Sequence, residues 1–169
     1  MAISLHAYRT VPVEPLRGRS VIDTSSYYPE QRDARIAELA AGTATTGELL
    51  QAHLPESHVV KAFRNIFFLH LANLVRSSGA ADRSALPIAG DDTAAKEQVT
   101  AFLDSIGYDT VDAGPLAEGW RFERDKPAHS KIYFSEGHSY EDLLKGGDPG
   151  PGGQVAADTL RQRLAEARR

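Results

Sequence analysis

Polar and aromatic side chains follow two short apolar runs, at the points where strands of an α/β sheet would end. Six of these residues are Thr24, Ser25, Tyr27, Lys61, Phe63 and Asn65. In an open α/β sheet, ligands bind in the crevice outside the carboxyl ends of the strands. We therefore predict that these six residues bind a cofactor.

Each of the six also has a structural interpretation. Ser25 and Tyr27 could cap a turn, and Asn65 could be the N-cap of a following helix. Phe63 could belong to the core, and Lys61 could extend an apolar stem to carry its charge into water. The sequence leaves both interpretations open.

No other pattern predicts acid–base, nucleophilic or metal chemistry. The chain has no cysteine, which excludes disulfides, thiolate zinc sites and cysteine nucleophiles. Its six histidines lack metal-ligand spacing such as His-Glu-x-x-His. Asp91 and Asp92, directly before Thr93, are most simply a helix N-cap. We assign no catalytic residue and no metal ligand.

The elements that must position these residues alternate along the chain. Short β-branched runs predict strands, and apolar residues at i, i+3 and i+4 predict helices. The predicted strands cover 20–22, 58–63, 86–89 and 108–111, and the predicted helices cover 32–41, 46–53, 65–77, 93–106 and 155–167. This alternation predicts an α/β, partial Rossmann-like fold, with a mostly parallel sheet, flanking helices and a C-terminal helical tail.

Composition narrows the classes of partner. The chain has 169 residues, enough for one domain with its own core. Its net charge of −4 provides no broad basic field for nucleic acid. No apolar run approaches the ~20 residues that span a bilayer, and the first residues do not resemble a signal peptide. We expect a cytoplasmic protein with small-molecule partners, and neither nucleic acid nor membrane.

Two glycine-bearing segments, LPIAGDD at 86–92 and DAGPLAEGWRFERD at 112–125, flank one predicted helix. Together with IDTSSYYPE at 22–30 and VVKAF at 59–63, they resemble the deazaflavin-dependent NADP oxidoreductase family. The resemblance implies NADP(H) and coenzyme F-420 as cofactors and hydride transfer as the reaction. Since the two cofactors supply the reacting carbons, no catalytic side chain is expected. Trp120 and Phe122 could wall a pocket for the deazaflavin ring.

The resemblance runs from about residue 5 to 125 and departs from the family at the front. Relatives begin with a strand and a Gly-x-Gly-x-x-Gly turn that holds the dinucleotide pyrophosphate, and none of the 14 glycines here forms that pattern. We expect 1–63 to be the remaining second half of a Rossmann-type domain, whose first residues end a fourth strand. Residues 64–125 would complete that fold, and 126–169 would be a variable Gly/Pro-rich tail. An uncovered sheet edge then predicts self-association.

Two local departures fall near the expected pocket. Arg64 stands where relatives have Asn, and Lys-Pro-Ala-His at 126–129 stands where Thr-Pro-Ala-Tyr is common. We predict an N-terminally truncated member of the family and leave open whether this chain is an enzyme. The alternatives are a non-enzymatic remnant that acts as a binding or assembly module, and a related reductase with another acceptor, such as a flavin or ferric complex.

Overall fold

Four strands form one mixed sheet in the computed structural model, which describes residues 1–169. The strands lie side by side in chain order: β1 (Ser20–Asp23), β2 (His58–Lys61), β3 (Ala85–Gly90) and β4 (Asp109–Asp112). The pairs β1–β2 and β3–β4 are parallel, and β2–β3 is antiparallel. The predicted α/β class with a mostly parallel sheet is confirmed.

Six α-helices and four 3-10 helices surround the sheet. The α-helices are α1 (Ala37–Ala40), α2 (Thr46–His53), α3 (Phe68–Asn73), α4 (Thr93–Ser105), α5 (Tyr140–Leu144) and α6 (Ala157–Glu166). The 3-10 helices cover Leu5–Thr10, Glu14–Leu16, Leu116–Phe122 and Ser130–Tyr133. None of the helices has both the length and the apolar character needed to cross a membrane.

Local signals fix the two best-predicted helices. At the start of α2, Thr45 and Glu48 form a reciprocal capping box. At the start of α4, the Asp92 carboxylate accepts a hydrogen bond of 2.7 Å from the Ala95 amide, as expected of an N-cap. Beyond its end lies Gly107, whose φ of +96° belongs to the region that glycine adopts without strain.

Two predicted helices are much shorter than expected. The segment predicted as helix 32–41 is helical only in α1, because the buried Asp33 carboxylate accepts hydrogen bonds from the backbone amides of Tyr28 and His6. These bonds fold the chain into a turn before the helix can begin. The helix predicted at 65–77 is restricted to α3.

The N-terminal residues only partly resemble a strand. The amino group of Met1 donates to the Ile22 carbonyl, and the Met1 carbonyl accepts a bond of 3.1 Å from the Thr24 amide. This is the pattern of a parallel pair along the outer edge of β1. From Leu5 onward the chain turns away as a 3-10 helix.

The segment after residue 125 packs into the main core. Leu160 and Leu164 of α6 are buried among the same apolar side chains as β3 and α4. Val155 lies beside the start of β3, where its carbonyl accepts a bond of 2.8 Å from the Ala85 amide. Tyr133, also fully buried, donates a bond of 2.7 Å to the Ala85 carbonyl. The C-terminal residues therefore complete the core.

Candidate functional site

A surface cleft lies between the loop that follows β1 and the segment from the Leu116–Phe122 helix to residue 126. It consists of two adjoining cavities of about 220 and 280 Å³, which share Tyr27, Trp120, Glu123 and Lys126. Ligand pockets commonly measure ~300–1,000 Å³, so the two cavities together are large enough for a small cofactor ring. We call this surface the cleft.

The two cavities of the cleft differ in character. The first adds mainly small and apolar residues and one cation: Leu39, Gly42, Ala44, Thr45 and Arg169. The second adds mainly charged residues: Pro29, Glu30, Arg64, Arg124 and Asp125. The cleft therefore has an aromatic, largely apolar end and a charged end.

Hydrogen bonds from other elements hold the walls of the cleft in place. The Tyr27 hydroxyl accepts a bond of 3.0 Å from the Ile36 amide. The Leu116 amide donates a bond of 2.8 Å to the Asp91 carboxylate. Three cations lie 5.2–5.5 Å from the Trp120 ring: Arg121, Lys126 and Arg169. These distances fall within the ~6 Å range of cation–π contacts, so the Trp120 ring lies in positively charged surroundings.

Of the six predicted site residues, Tyr27 alone lines the cleft. Thr24 lies at the edge of β1, where its amide and hydroxyl both donate to the Met1 carbonyl at 3.1 Å. Ser25 is almost fully buried, and its amide donates a bond of 2.9 Å to the Asp23 carboxylate. The structure therefore brings Thr24 and Ser25 near the cleft but engages their polar groups with the protein.

Lys61 lies beneath the cleft rather than in it. Its side chain is 1% exposed, and its ammonium donates to the Asp23 carboxylate at 2.9 Å, the Ser25 carbonyl at 2.5 Å and the Thr46 hydroxyl at 2.7 Å. The Thr46 hydroxyl in turn donates a bond of 2.8 Å to Glu123 on the cleft wall. All three N–H donors of the ammonium are used, so Lys61 joins β1, β2 and α2 below the ligand surface.

The charge of Asp23 is maintained by this network. Burial by itself raises the pKa of Asp23, but the Lys61 ammonium and the hydrogen bonds from Ser25 more than offset it. The net pKa of Asp23 is lower than its ordinary value of 3.8. Asp23 and Lys61 are therefore a buried ion pair at neutral pH.

Phe63 and Asn65 hold the chain as it leaves β2. Phe63 has a φ of +59°, which is unusual for an aromatic residue, and its ring packs edge-on against Phe102 at 6.3 Å. Asn65 is fully buried, and its amide nitrogen donates to the Ala128 carbonyl at 3.1 Å and the Tyr133 hydroxyl at 2.9 Å. Asn65 does not cap α3, because that helix begins three residues later.

Sequence reasoning placed Arg64 and His129 near the expected pocket but did not assign them, or Tyr28, to the site. The Arg64 guanidinium donates 3.1 Å bonds to the Tyr28 hydroxyl and to Nε2 of His129. Arg32 and Arg124 also lie over the Tyr28 ring, at 5.1 Å. The available signal was that Arg64 and His129 belong to the two local departures from the pattern of the family that the sequence resembles, and the structure places them in contact.

His129 is neutral in this arrangement. Burial, followed by the charge of Arg64, lowers the pKa of His129 to about 4. Because a guanidinium can only donate, Nε2 of His129 is the acceptor and its proton is on Nδ1. That nitrogen lies 2.9 Å from the Ser130 hydroxyl. The Arg64 guanidinium and the His129 imidazole therefore lie side by side, and only the guanidinium is charged.

The structure contains no group of three or more His, Asp or Glu side chains that could hold a metal ion. Aromatic rings and cations line the cleft and could bind and orient a ligand there.

No protein-family model and no curated protein matches the sequence. Among solved structures, the chain is similar to a hypothetical protein from Sinorhizobium meliloti, with 22% identity and a TM-score of 0.59 over 75% of this chain and 61% of that chain. It is also similar to a candidate F-420-dependent NADP-reductase from Arthrobacter sp. FB24, with 25% identity and a TM-score of 0.49 over 62% of this chain and 47% of that one. The first likeness supports the fold. The chain spans less than two thirds of either protein.

Proposed function

We propose that this chain is the acceptor-side part of an oxidoreductase that transfers hydride between NADP(H) and the deazaflavin coenzyme F-420. The observation that carries the proposal is the cleft outside the carboxyl ends of β1 and β2, with an aromatic end and a charged end side by side. A deazaflavin cofactor is a flat ring with an anionic side chain, and the two ends of the cleft match these two parts. Two of the segments that resemble the family, 22–30 and 112–125, contribute residues to the walls of the cleft.

The residues present fit the ring of such a cofactor. Tyr27 and Trp120 line both cavities and offer aromatic surface to a planar ligand. The Lys126 ammonium donates a hydrogen bond to the Arg168 carbonyl and pairs with no carboxylate. Its positive charge can therefore attract an anion. When bound, the two cofactors supply the hydride donor and acceptor carbons, and the protein's task is to hold their rings together.

The remaining predicted site residues would then shape the cleft. The assignment of Thr24, Ser25, Lys61, Phe63 and Asn65 as cofactor-binding stays a prediction. Their contacts favour an indirect role, because the polar groups of Ser25 and Lys61 are bonded within the protein and Asn65 is fully buried.

We further propose that the NADP(H)-binding half lies outside these 169 residues. Its pyrophosphate turn, Gly-x-Gly-x-x-Gly, is absent from them. The hydrogen bonds of Met1 along β1 support the proposal, because they show that the outer edge of β1 accepts a parallel neighbour.

Fluorescence can test this function directly, because Trp120 is the only tryptophan in the chain. Titration with F-420 should quench its emission with saturation, and titration with NADPH should not. The variant Trp120→Ala has no fluorescent tryptophan, so its binding of F-420 should be measured by calorimetry. We expect this variant to bind F-420 about tenfold more weakly, a loss of ~1.4 kcal/mol in binding free energy. The matched control is Phe68→Ala, which removes an exposed aromatic side chain that does not line the cleft.

Three results would contradict parts of this proposal. Absence of F-420 binding would remove the deazaflavin function, and saturable binding of a flavin or a ferric complex instead would favour a reductase with another acceptor. Tight NADPH binding by this chain alone would contradict the placement of the nucleotide site outside it.

A non-enzymatic assembly module is the second candidate, and β1 is the observation that favours it. β1 is an edge strand whose outer backbone groups are paired only at its end, by Met1. Unpaired edges are sites of strand addition. Sedimentation over a range of protein concentrations should show self-association if this edge is used. A monomer at every concentration, together with F-420 binding, would favour the first function over the second.

A further inference from the structure

Arg64 is the centre of a cluster at the charged end of the cleft. We define the Arg64 cluster as Arg64, Tyr28 and His129, with Arg32 and Arg124 also over the Tyr28 ring. The guanidinium carbon of Arg64 lies 5.6 Å from the centre of that ring. Three guanidinium groups therefore surround one aromatic ring.

The cations of the cluster differ in how their charge is balanced. Arg32 pairs with Asp33 at 3.3 Å, and Arg124 pairs with Glu30 at 3.3 Å and Asp125 at 3.1 Å. The partners of Arg64 are a phenol and a neutral imidazole, and neither carries a charge.

Arg64 also has unused hydrogen-bonding capacity. Its Nε is buried and has no partner. A buried donor without a partner is unfavourable unless a ligand or water supplies the acceptor. Arg64 lines the second cavity together with Arg124 and Lys126, so an anion in this cavity would meet a guanidinium whose charge no carboxylate balances.

The backbone on both sides of the cavity is held in an uncommon conformation. Phe63, directly before Arg64, and Asp125, on the cavity wall, are the only non-glycine residues with positive φ, at +59° and +67°. Such residues concentrate at ligand-binding sites, where surrounding contacts force them. Here they fix the positions from which Arg64 and Arg124 reach the cavity.

We propose that the Arg64 cluster is a phosphate-binding site, with Arg64 as the principal donor and Lys126 and Arg124 as supporting cations. Guanidinium groups match the geometry of phosphate oxygens through paired N–H donors. The inference rests on the proposed function in one respect: it assigns the phosphate of the cofactor side chain to the charged end of the cleft, next to the ring at the aromatic end.

Inorganic phosphate is the first probe, because it tests the site without the deazaflavin ring. NMR titration of the full chain should show saturable shifts at Arg64 and His129. We expect Arg64→Gln to weaken phosphate binding about tenfold or more. Arg161→Gln is the matched control, because Arg161 is exposed on α6 and pairs only with Asp158. Equal binding by the wild type and Arg64→Gln, or no saturation in the wild type, would overturn the proposal.

The pKa of His129 provides a second measurement. If Arg64 had only a structural role, added phosphate would not change this pKa. The charged groups that influence His129 are Arg64, Arg124, Lys131 and Asp125. A phosphate bound to Arg64 would add negative charge beside the ring and raise the pKa of His129 by about 1 unit. An unchanged pKa at saturating phosphate would place the anion elsewhere and count against the site.

A pair of deazaflavins separates this inference from the proposed function. F-420 carries the phosphate, and its riboside precursor lacks it. Arg64→Gln should weaken F-420 and leave the phosphate-free ring unaffected, whereas equal losses for both would refute the assignment. Phosphate binding without deazaflavin binding would support the site and refute the proposed function. If Arg64→Gln does not melt cooperatively, Arg64→Lys keeps the charge, removes the paired donors and should weaken phosphate in the same assays.

Discussion

Replacement of Lys61 by Met tests whether the buried ion pair supports the cleft. The substitution keeps an apolar stem of similar length and removes the ammonium that bonds to Asp23, Ser25 and Thr46. Asp23, which is fully buried, would then keep only its hydrogen bonds from Ser25. Removing one partner of a buried ion pair costs about 3–5 kcal/mol of unfolding free energy.

The cost should appear as a large shift in melting temperature. For a domain of this size, 1 kcal/mol corresponds to roughly 2–4 °C, so Lys61→Met should melt roughly 6–20 °C lower. The pKa of Asp23 is lowered in the folded protein, so the pair stabilises the fold above about pH 3.8 and loses this contribution as pH falls through the folded value. The difference between wild type and Lys61→Met should therefore be full at neutral pH and shrink in acid.

The matched control is Lys96→Met, the same substitution at a lysine that pairs with the half-exposed Asp112. We expect it to cost less than about 1 kcal/mol. The double variant Asp23→Asn with Lys61→Met should recover part of the loss, because neither charge remains buried. Equal melting temperatures for Lys61→Met and Lys96→Met would refute the reasoning. A stable Lys61→Met protein with weakened F-420 binding would instead make Lys61 a ligand contact.

Other positions test the remaining contacts. Burial lowers the pKa of His129 from 6.5 to about 4, so unfolding free energy should fall by about 3 kcal/mol between pH 7 and 4. Urea midpoints measure this loss, and His129→Gln should flatten it; an equal slope in both proteins would contradict the assignment. Gly107→Ala should cost at least about 2 kcal/mol in thermal unfolding, because a Cβ there would lie 2.7 Å from the Arg76 carbonyl oxygen at a φ of +96°. Tyr133→Phe removes the hydroxyl that joins Asn65 to β3 and should cost about 1–3 kcal/mol; an unchanged urea midpoint would mean that these groups find other partners.

The sequence predicted those elements whose ends carry local signals. α2 was predicted at its observed bounds and α4 within one residue, because a capping side chain lies directly before each helix and Gly107 follows α4. The helix predicted at 32–41 failed because Asp33 bonds to amides five and 27 residues away. The helical periodicity of residues 32–41 cannot predict hydrogen bonds to such distant partners.

The candidate site also has residues that the sequence could place and residues that only the tertiary structure could place. Tyr27 was predicted from its place after a strand end, and it lines the cleft at that edge of the sheet. Lys61 follows the same rule, yet its ammonium lies under the surface, because Asp23 and Thr46 supply acceptors from two other elements. A strand-end position specifies the edge of the sheet but not the depth of the side chain.

The sequence by itself determined the α/β class, the order of the elements and the absence of cysteine chemistry and of the dinucleotide turn. These features depend on local periodicity, capping and residue type. The tertiary structure alone decided the cleft and the contact between Arg64 and His129, which are 65 residues apart. The physical reason is that burial and pairing of charge depend on which distant segments the sheet brings together. Two departures from the pattern of the family that the sequence resembles, separate in the chain, thus form one cluster of a cation, a neutral imidazole and a phenol.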